Sequence, residues 1–391
     1  MVYAIATLSG TIIGVGLFSL PYITLQVGIL VMLGYFLILG SLVILIHYLF
    51  GKVALKTPDY LRLPGYAKIH LGEWGKRVAL ISTILGFLGA ILAYLIVGGE
   101  FLTNLLSPVF GGNNLFYTLL YFIVGAGLIF FGIKAISKIE FWGLILFFVI
   151  LIAIFFRGQS FINIENLFLI RNPALELVQY GAGWELGIPT VSRILDSFTV
   201  GIRNWFLPYG PILFSLWGAA LIPEVEEMLG ENKNLLKKII PIAILIPIFV
   251  YLFFIFLILG ITGSQTTESA ITGLRNFLGD GVVSLGLFFG ILTTFTSFIA
   301  LGLTLKKTLW YDFKTPKNLA WAITCFIPLL LFLIGLKDFI GVIGFVGGVM
   351  LGIDGILILL MYSKISRKKL LTYPLILVLL GGIIYQIIYF F

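Results

Sequence analysis

The residues that invite chemistry in this chain offer bare backbone rather than reactive side chains. Ser9-Gly10-Thr11-Ile12-Ile13-Gly14-Val15-Gly16-Leu17-Phe18-Ser19-Leu20-Pro21 lies in an apolar run with no charged side chain before Lys52. A run of that kind ordinarily crosses a membrane as a helix. Yet glycine costs a helix about 1 kcal/mol relative to alanine, and proline about 3. Backbone groups left unpaired in hydrocarbon cost more, so a break at membrane depth persists only where protein or a water-filled site satisfies them. We read Gly10 to Gly16 as an opened helix whose main chain holds a ligand. The plainer reading makes Gly10 and Gly14 a small-xxx-small pair for close helix packing, and this stretch alone does not separate the two. Gly14-x-Gly16 is also a fragment of a dinucleotide fingerprint, but no strand precedes it and no βαβ unit surrounds it.

A second interruption decides between them. Leu207-Pro208-Tyr209-Gly210-Pro211-Ile212-Leu213-Phe214-Ser215-Leu216-Trp217-Gly218-Ala219-Ala220-Leu221-Ile222-Pro223-Glu224 again places small and polar residues inside an apolar span. Pro223-Glu224 reads as its end. Close packing explains one such break; two at matching places point to an inverted-repeat transporter with its site at the membrane midplane.

Composition fits that class. The chain has 391 residues, of which 60% are hydrophobic and 11% charged, the profile of a polytopic membrane protein. The start lacks the basic head, short apolar core and cleavage site of a signal peptide. Apolar runs give eleven spans, near residues 2–25, 28–50, 78–106, 115–133, 141–156, 205–223, 239–261, 282–305, 319–335, 340–362 and 371–391. The net charge of +8 does not indicate a nucleic-acid partner, because the basic residues sit in short loops. Lys52, Lys56, Arg62, Lys68, Lys76, Arg77, Lys134, Lys138, Lys233, Lys237, Lys238, Lys306, Lys307, Lys314, Lys317, Lys364, Arg367, Lys368 and Lys369 share one side. Only Arg157, Arg171, Arg193, Arg203, Arg275 and Lys337 fall on the other. The positive-inside rule then puts the amino terminus in the cytoplasm and the carboxyl terminus outside.

Two connections are long. Residues 51–77 contain an amphipathic pattern around Tyr66 to Lys76 suited to the membrane surface, or else a solvated basic connector. Residues 157–204 hold Val191, Ile194, Leu195, Phe198 and Ile202 at helical spacing after Pro189, a short helix over the outer mouth that is either a lid or an inert cap. Cys325 is the sole cysteine, so no internal disulfide forms. His47 and His70, read as lying at a helix end and in a loop, give no metal-ligand spacing.

At these residues the chain resembles the amino acid–polyamine–organocation superfamily. Gly10 to Pro21, followed by Gly28, is similar to its first-helix signature. Gly72-Glu73-Trp74-Gly75-Lys76, Gly132-Ile133-Lys134, Pro208-Tyr209-Gly210, Ile222-Pro223-Glu224 and Thr296-Ser297-Phe298-Ile299-Ala300-Leu301-Gly302-Leu303 point toward its amino acid/auxin permease or aromatic amino acid permease-like branches. The resemblance implies an all-α leucine-transporter-like fold of about 11 membrane helices, built from five-plus-five inverted repeats with helices 1 and 6 discontinuous. Residues 1–156 would form the first repeat and 205–362 the second. Residues 157–204 would connect them, and 363–391 would add an eleventh span.

The resemblance also implies an importer of amino acids in the plasma membrane, without a cofactor. A zwitterion needs partners at both ends. Helix starts supply roughly half a positive charge to a carboxylate, and the resemblance assigns Gly14, Val15 and Gly16 to that role. Freed carbonyls near Ile12 and at Phe214, Ser215 and Leu216 would accept from the ammonium. Phe214 and Trp217 would shape the side-chain pocket, and Tyr94 would add a hydroxyl. The shared cation site maps to Gly10 and Ile13 with Thr293, Thr296 and Ser297, although such hydroxyls ordinarily bond the preceding helical turn. Span five lacks the lysine that sodium-independent relatives place there, which favours Na+. One cation moved across 100 mV contributes about 2.3 kcal/mol, about a 50-fold gradient. Asp354, inside span ten, is either a proton carrier, making H+ the coupling ion, or a hydrogen-bond acceptor facing a wet inner vestibule. Glu100 reads as interfacial with a gate role open to it, and Glu224 as structural. An ion channel or an amino acid sensor on the same fold stays open as an alternative. No catalytic cluster suggests an enzyme, and nothing in the sequence fixes an oligomeric state.

Overall fold

The computed structural model describes residues 1–58, 61–132, 136–171, 205–366 and 369–390. Within them the chain is all helical and follows the eleven spans in order. The expected helix over 191–202 and most of the outer connection lie outside the described residues.

Span one is α1 (Val2–Ile12), a tight 3-10 turn (Val15–Ser19) and α2 (Leu20–Val27), bent by 50°. Spans two to five are α3 (Ile29–Leu55), α5 (Glu73–Phe110), α6 (Asn114–Phe131) and α7 (Ile136–Gly158), with α4 (Leu63–Leu71) between α3 and α5. Span six divides into α8 (Tyr209–Leu216) and α9 (Ile222–Leu229). There follow α10 (Leu236–Thr262), α11 (Arg275–Lys307) and α12 (Lys317–Leu333). Span ten is α13 (Phe339–Phe345), a π-helical turn (Val346–Leu351) and α14 (Gly352–Ser366); α15 (Lys369–Phe390) ends the chain.

The broken spans sit at the centre. The apolar window of α5 is 61% buried and that of α15 only 17%, so α5 threads the bundle and α15 faces lipid. Polar stitches tie the breaks to their neighbours: Ser9 Oγ donates to the Ala243 carbonyl of α10 at 3.0 Å. Opposite, α8 and span ten meet backbone to backbone. A Cβ on Gly210 would stand 2.7 Å from the Gly344 carbonyl carbon, and one on Gly347 the same distance from the Phe214 nitrogen.

Several readings change. The first break is narrower than Gly10 to Gly16: Gly10 is helical, and only Ile13 and Gly14 leave the helix before the 3-10 turn. Pro223 does not end span six but opens its second half, where its missing N–H costs nothing. The amphipathic segment near Tyr66 is helical and docks its apolar face, since Tyr66 and Ala67 are fully buried while Lys68 pairs with Glu73 at 3.4 Å in solvent. Gly72, at φ 82°, makes the sharp turn into α5 that a side chain would strain. Neither histidine lies where the sequence suggests. His70 is within α4, its Nε2 2.9 Å from Thr57 Oγ1, and burial lowers its pKa. His47 is inside α3 and fully buried.

Candidate functional site

The two breaks leave complementary backbone groups at one level. α1 and α8 end there, turning their last carbonyls and negative dipole ends toward the gap. The 3-10 turn at Val15 and the turn Ala219–Leu221 before α9 begin there, presenting amides and positive ends. A cavity of about 1110 Å³ runs from these breaks to the end of the bundle where α1 starts. Ile12, Gly14, Val15, Gly16, Tyr94, Phe214, Ser215 and Trp217 line it, as do Gly10, Ile13, Thr293, Thr296, Ser297 and Asp354. Leu216 does not; its side chain is fully buried behind the break.

Beyond the breaks the path is closed by aromatic packing. Phe18 meets Phe101 edge to face at 5.0 Å and Phe254 at 6.1 Å, and all three rings are buried. The other end is wide and polar, with Arg62, Lys76, Glu224 and Lys307 on its wall. Arg62 reaches across that mouth to donate to Thr308 Oγ1 at 3.4 Å. The site therefore communicates with one face of the bundle and is sealed from the other.

Glycine at position 16 is a matter of space. A Cβ there would collide with the Ser215 side chain and come within 3.1 Å of its Cα, so this glycine lets the breaks touch. At Gly14 a Cβ would stand 2.7 Å from the Tyr94 hydroxyl, and the Val15 amide points at the same oxygen at 3.5 Å. The Tyr94 hydroxyl therefore stands beside the Gly14–Val15 turn on the cavity wall.

The carbonyls expected to accept from an ammonium are in part already engaged. The hydroxyl of Tyr251, on α10, lies 2.6 Å from the Ile12 carbonyl and 2.8 Å from that of Ser215. One phenol proton serves both acceptors, and each carbonyl keeps a second lone pair for another donor. Sequence reading missed Tyr251, although a tyrosine hydroxyl within an apolar span needs a partner. Tyr251→Phe leaves both buried carbonyls without this donor, at about 1–3 kcal/mol for each unsatisfied group. We expect a lower melting temperature and uptake reduced about tenfold; a variant matching the native protein in thermal unfolding and uptake would show the bridge to be idle.

The hydroxyls proposed for a cation face the cavity but also bond their own helix. Thr293 Oγ1 donates to the Phe289 carbonyl at 3.1 Å, and Thr296 Oγ1 to that of Thr293 at the same distance, the ordinary fate of membrane hydroxyls. Their lone pairs stay available to a cation. Asp354 sits one turn beyond the π-helical turn, a feature that often marks functional helices. It accepts from Ser82 Oγ at 2.5 Å on the cavity wall. Glu100 lies apart from the cavity and accepts from Ser269 Oγ at 2.6 Å.

Among solved structures the fold is that of leucine-transporter-type membrane transporters. Mhp1, a nucleobase-cation-symport-1 family transporter in a closed conformation with bromovinylhydantoin bound, matches with a TM-score of 0.63 at 11% identity. The match covers 99% of this chain and 91% of Mhp1. Mhp1 in an inward-facing conformation scores 0.58 at 12% identity, covering 99% and 88%. MhsT in complex with L-phenylalanine scores 0.50 at 17% identity, covering 99% and 97%. At such identities the likeness concerns fold alone. No relative among curated proteins matches. The family model for the tryptophan/tyrosine permease family matches residues 1–391, and the chain belongs to that family. It is thus a multi-pass secondary transporter rather than an enzyme.

Proposed function

We propose that this protein is a plasma-membrane symporter that imports aromatic amino acids, tryptophan and tyrosine foremost, by alternating access. Its amino terminus is cytoplasmic and its carboxyl terminus extracellular. The observation that carries the reading is the pair of helix breaks meeting in a cavity closed on one side by Phe18, Phe101 and Phe254. Membership of the tryptophan/tyrosine permease family supports the substrate class. So does the lining, to which Phe87, Phe147, Phe214, Trp217 and Phe289 contribute aromatic surface that suits a flat ring. The carboxylate meets the Val15 and Gly16 amides and the Tyr94 hydroxyl; the ammonium meets the carbonyls ending α1 and α8. The basic cavity mouth is then the cytoplasmic one, in keeping with the positive-inside rule.

Counterflow in liposomes tests this. Preloaded tryptophan or tyrosine should drive accumulation of labelled aromatic substrate, with alanine and lysine inactive. Exchange restricted to non-aromatic substrates, or binding without flux, would overturn it in favour of another substrate or a sensor. An ion current alone would identify a channel.

For the driving ion the Gly10, Ile13, Thr293, Thr296 and Ser297 group suits Na+, because it offers neutral oxygens. The Thr296→Ala, Ser297→Ala double variant should then lose about tenfold or more of its sodium-stimulated uptake, a cost of about 1.4 kcal/mol. A second reading is favoured by Asp354, a carboxylate on the cavity wall held by Ser82: H+ would be the coupling ion, with Asp354 its carrier. In that case Asp354→Asn abolishes uptake driven by a pH gradient while leaving counterflow active, and the hydroxyl variant keeps native uptake. Sodium dependence that survives the double variant rules out the first assignment.

A further inference from the structure

His47 is fully buried in α3, and transport as proposed gives it no task. Its ring is held on three sides. The Gly218 amide donates to Nε2 at 2.9 Å. An amide N–H can only donate, so Nε2 is the bare nitrogen and Nδ1 carries the proton, donated to the Val43 carbonyl at 2.8 Å. The ring edge also meets Trp217 at 4.9 Å and 76°.

Gly218 lies in the break of span six, between the end of α8 at Leu216 and the turn that begins at Ala219. Its amide has lost the helical acceptor that it would have found in an unbroken span, and His47 supplies one from another helix. The indole of Trp217, the residue before it, also packs close to span ten: a Cβ on Gly355 would lie 3.3 Å from its Cη2. Gly218 in turn abuts the first break, where a Cβ would stand 2.8 Å from Cγ1 of Ile12. Both Trp217 and Gly218 line the cavity.

We propose that His47 is a positioning residue for substrate selection: as a neutral imidazole it fixes the Gly218 amide and the Trp217 ring, and so sets the aromatic wall of the site. Packing alone does not call for an imidazole here, because a buried ring nitrogen needs a partner that an apolar residue would not. The inference rests on the reading of this cavity as the site for an aromatic amino acid.

The test is tryptophan counterflow in liposomes by the native chain and by His47→Phe, His47→Gln, Trp217→Phe and the His47→Phe, Trp217→Phe double variant. Phenylalanine keeps a ring but no acceptor; glutamine carries an amide oxygen near the place of Nε2. His47→Phe should raise KM for tryptophan about tenfold with Vmax within about twofold, equivalent to about 1.4 kcal/mol of binding. His47→Gln should restore KM to within about threefold of native. If His47 acts through the indole, the double variant should be no worse than Trp217→Phe alone, since coupled residues are not additive. Additive losses, a Gln variant as poor as Phe, or a KM within about twofold of native in His47→Phe would overturn the inference. If His47→Phe yields no folded protein, His47→Asn takes its place under the same outcomes, its amide being too short to reach Gly218. A native chain that exchanges no aromatic amino acid overturns the proposed function and this inference with it. A native chain that does, with His47 variants behaving like it, overturns the inference only.

Discussion

Valine at position 16 is expected to leave a folded protein whose uptake has fallen about five- to a hundredfold, from an overpacking cost of about 1–3 kcal/mol at about 1.4 kcal/mol per decade. The substitution forces apart two segments that the site needs in contact. The new Cβ meets the Ser215 side chain and stands 3.1 Å from its Cα. Ser215 cannot rotate away freely, because its Oγ donates to the Pro211 carbonyl at 2.7 Å. Its own carbonyl shares the Tyr251 hydroxyl with Ile12. Pushing α8 outward therefore loosens the bridge between the breaks, and with it the spacing between carboxylate and ammonium partners. Relief is testable in the same assay. Gly16→Ala combined with Ser215→Gly removes the side-chain part of the collision and should recover part of the loss seen in Gly16→Ala alone. Native uptake in Gly16→Val would mean that the breaks do not hold the substrate between them.

Gly347→Val is expected to act earlier, on folding itself. At this position the obstacle is main chain: a Cβ would lie 2.7 Å from the Phe214 nitrogen and would strike the Gly210 carbonyl oxygen. No rotamer change moves a backbone atom, so α8 and span ten must separate along their contact. Losses above about 4 kcal/mol are the mark of such core collisions, a large share of the roughly 5–15 kcal/mol that folded domains possess. Size-exclusion chromatography of detergent-solubilised protein should show aggregate or no recovered protein. A monodisperse variant with a melting temperature near native would show that the Gly210–Gly347 approach is dispensable.

These two glycines stood differently in the sequence. Gly16 belongs to a cluster whose composition contradicts a plain membrane helix, and that contradiction is local, so it is visible in one dimension. The apolar spans, their order and the breaks near residues 14 and 217 were legible for the same reason. Each follows from what hydrocarbon does to a backbone group or a charge at a given depth. Many of the basic residues read as loop residues, such as Lys52, Lys237 and Lys306, lie instead within helix ends. Gly347 gave no such signal. Its importance is set by Gly210, far away in the chain, and only packing brings them together.

The candidate site divides in the same way. That the breaks leave orphan amides and carbonyls could be read from the sequence, since such groups are a property of any broken helix; the assignment of Val15 and Gly16 came from the family resemblance. Leu216, expected to offer its carbonyl, turns its side chain into the core, a placement that spacing within so short a helix could not settle. Pro223 was ambiguous for a related reason: proline disfavours a helix before it and favours one after it, and sequence does not say which applies.

What the sequence determined by itself is thus the class of molecule and the two places where its helices open, because solvation energy acts residue by residue. What only the tertiary structure decided is who completes those openings. Tyr251 and His47 are single polar groups in apolar spans, noticeable but without a known partner. The Ile12 and Ser215 carbonyls and the Gly218 amide become their partners only when spans two and seven pack against the breaks. Hydrogen bonds between distant segments depend on atoms within 3 Å or so, and that proximity is a property of the folded bundle.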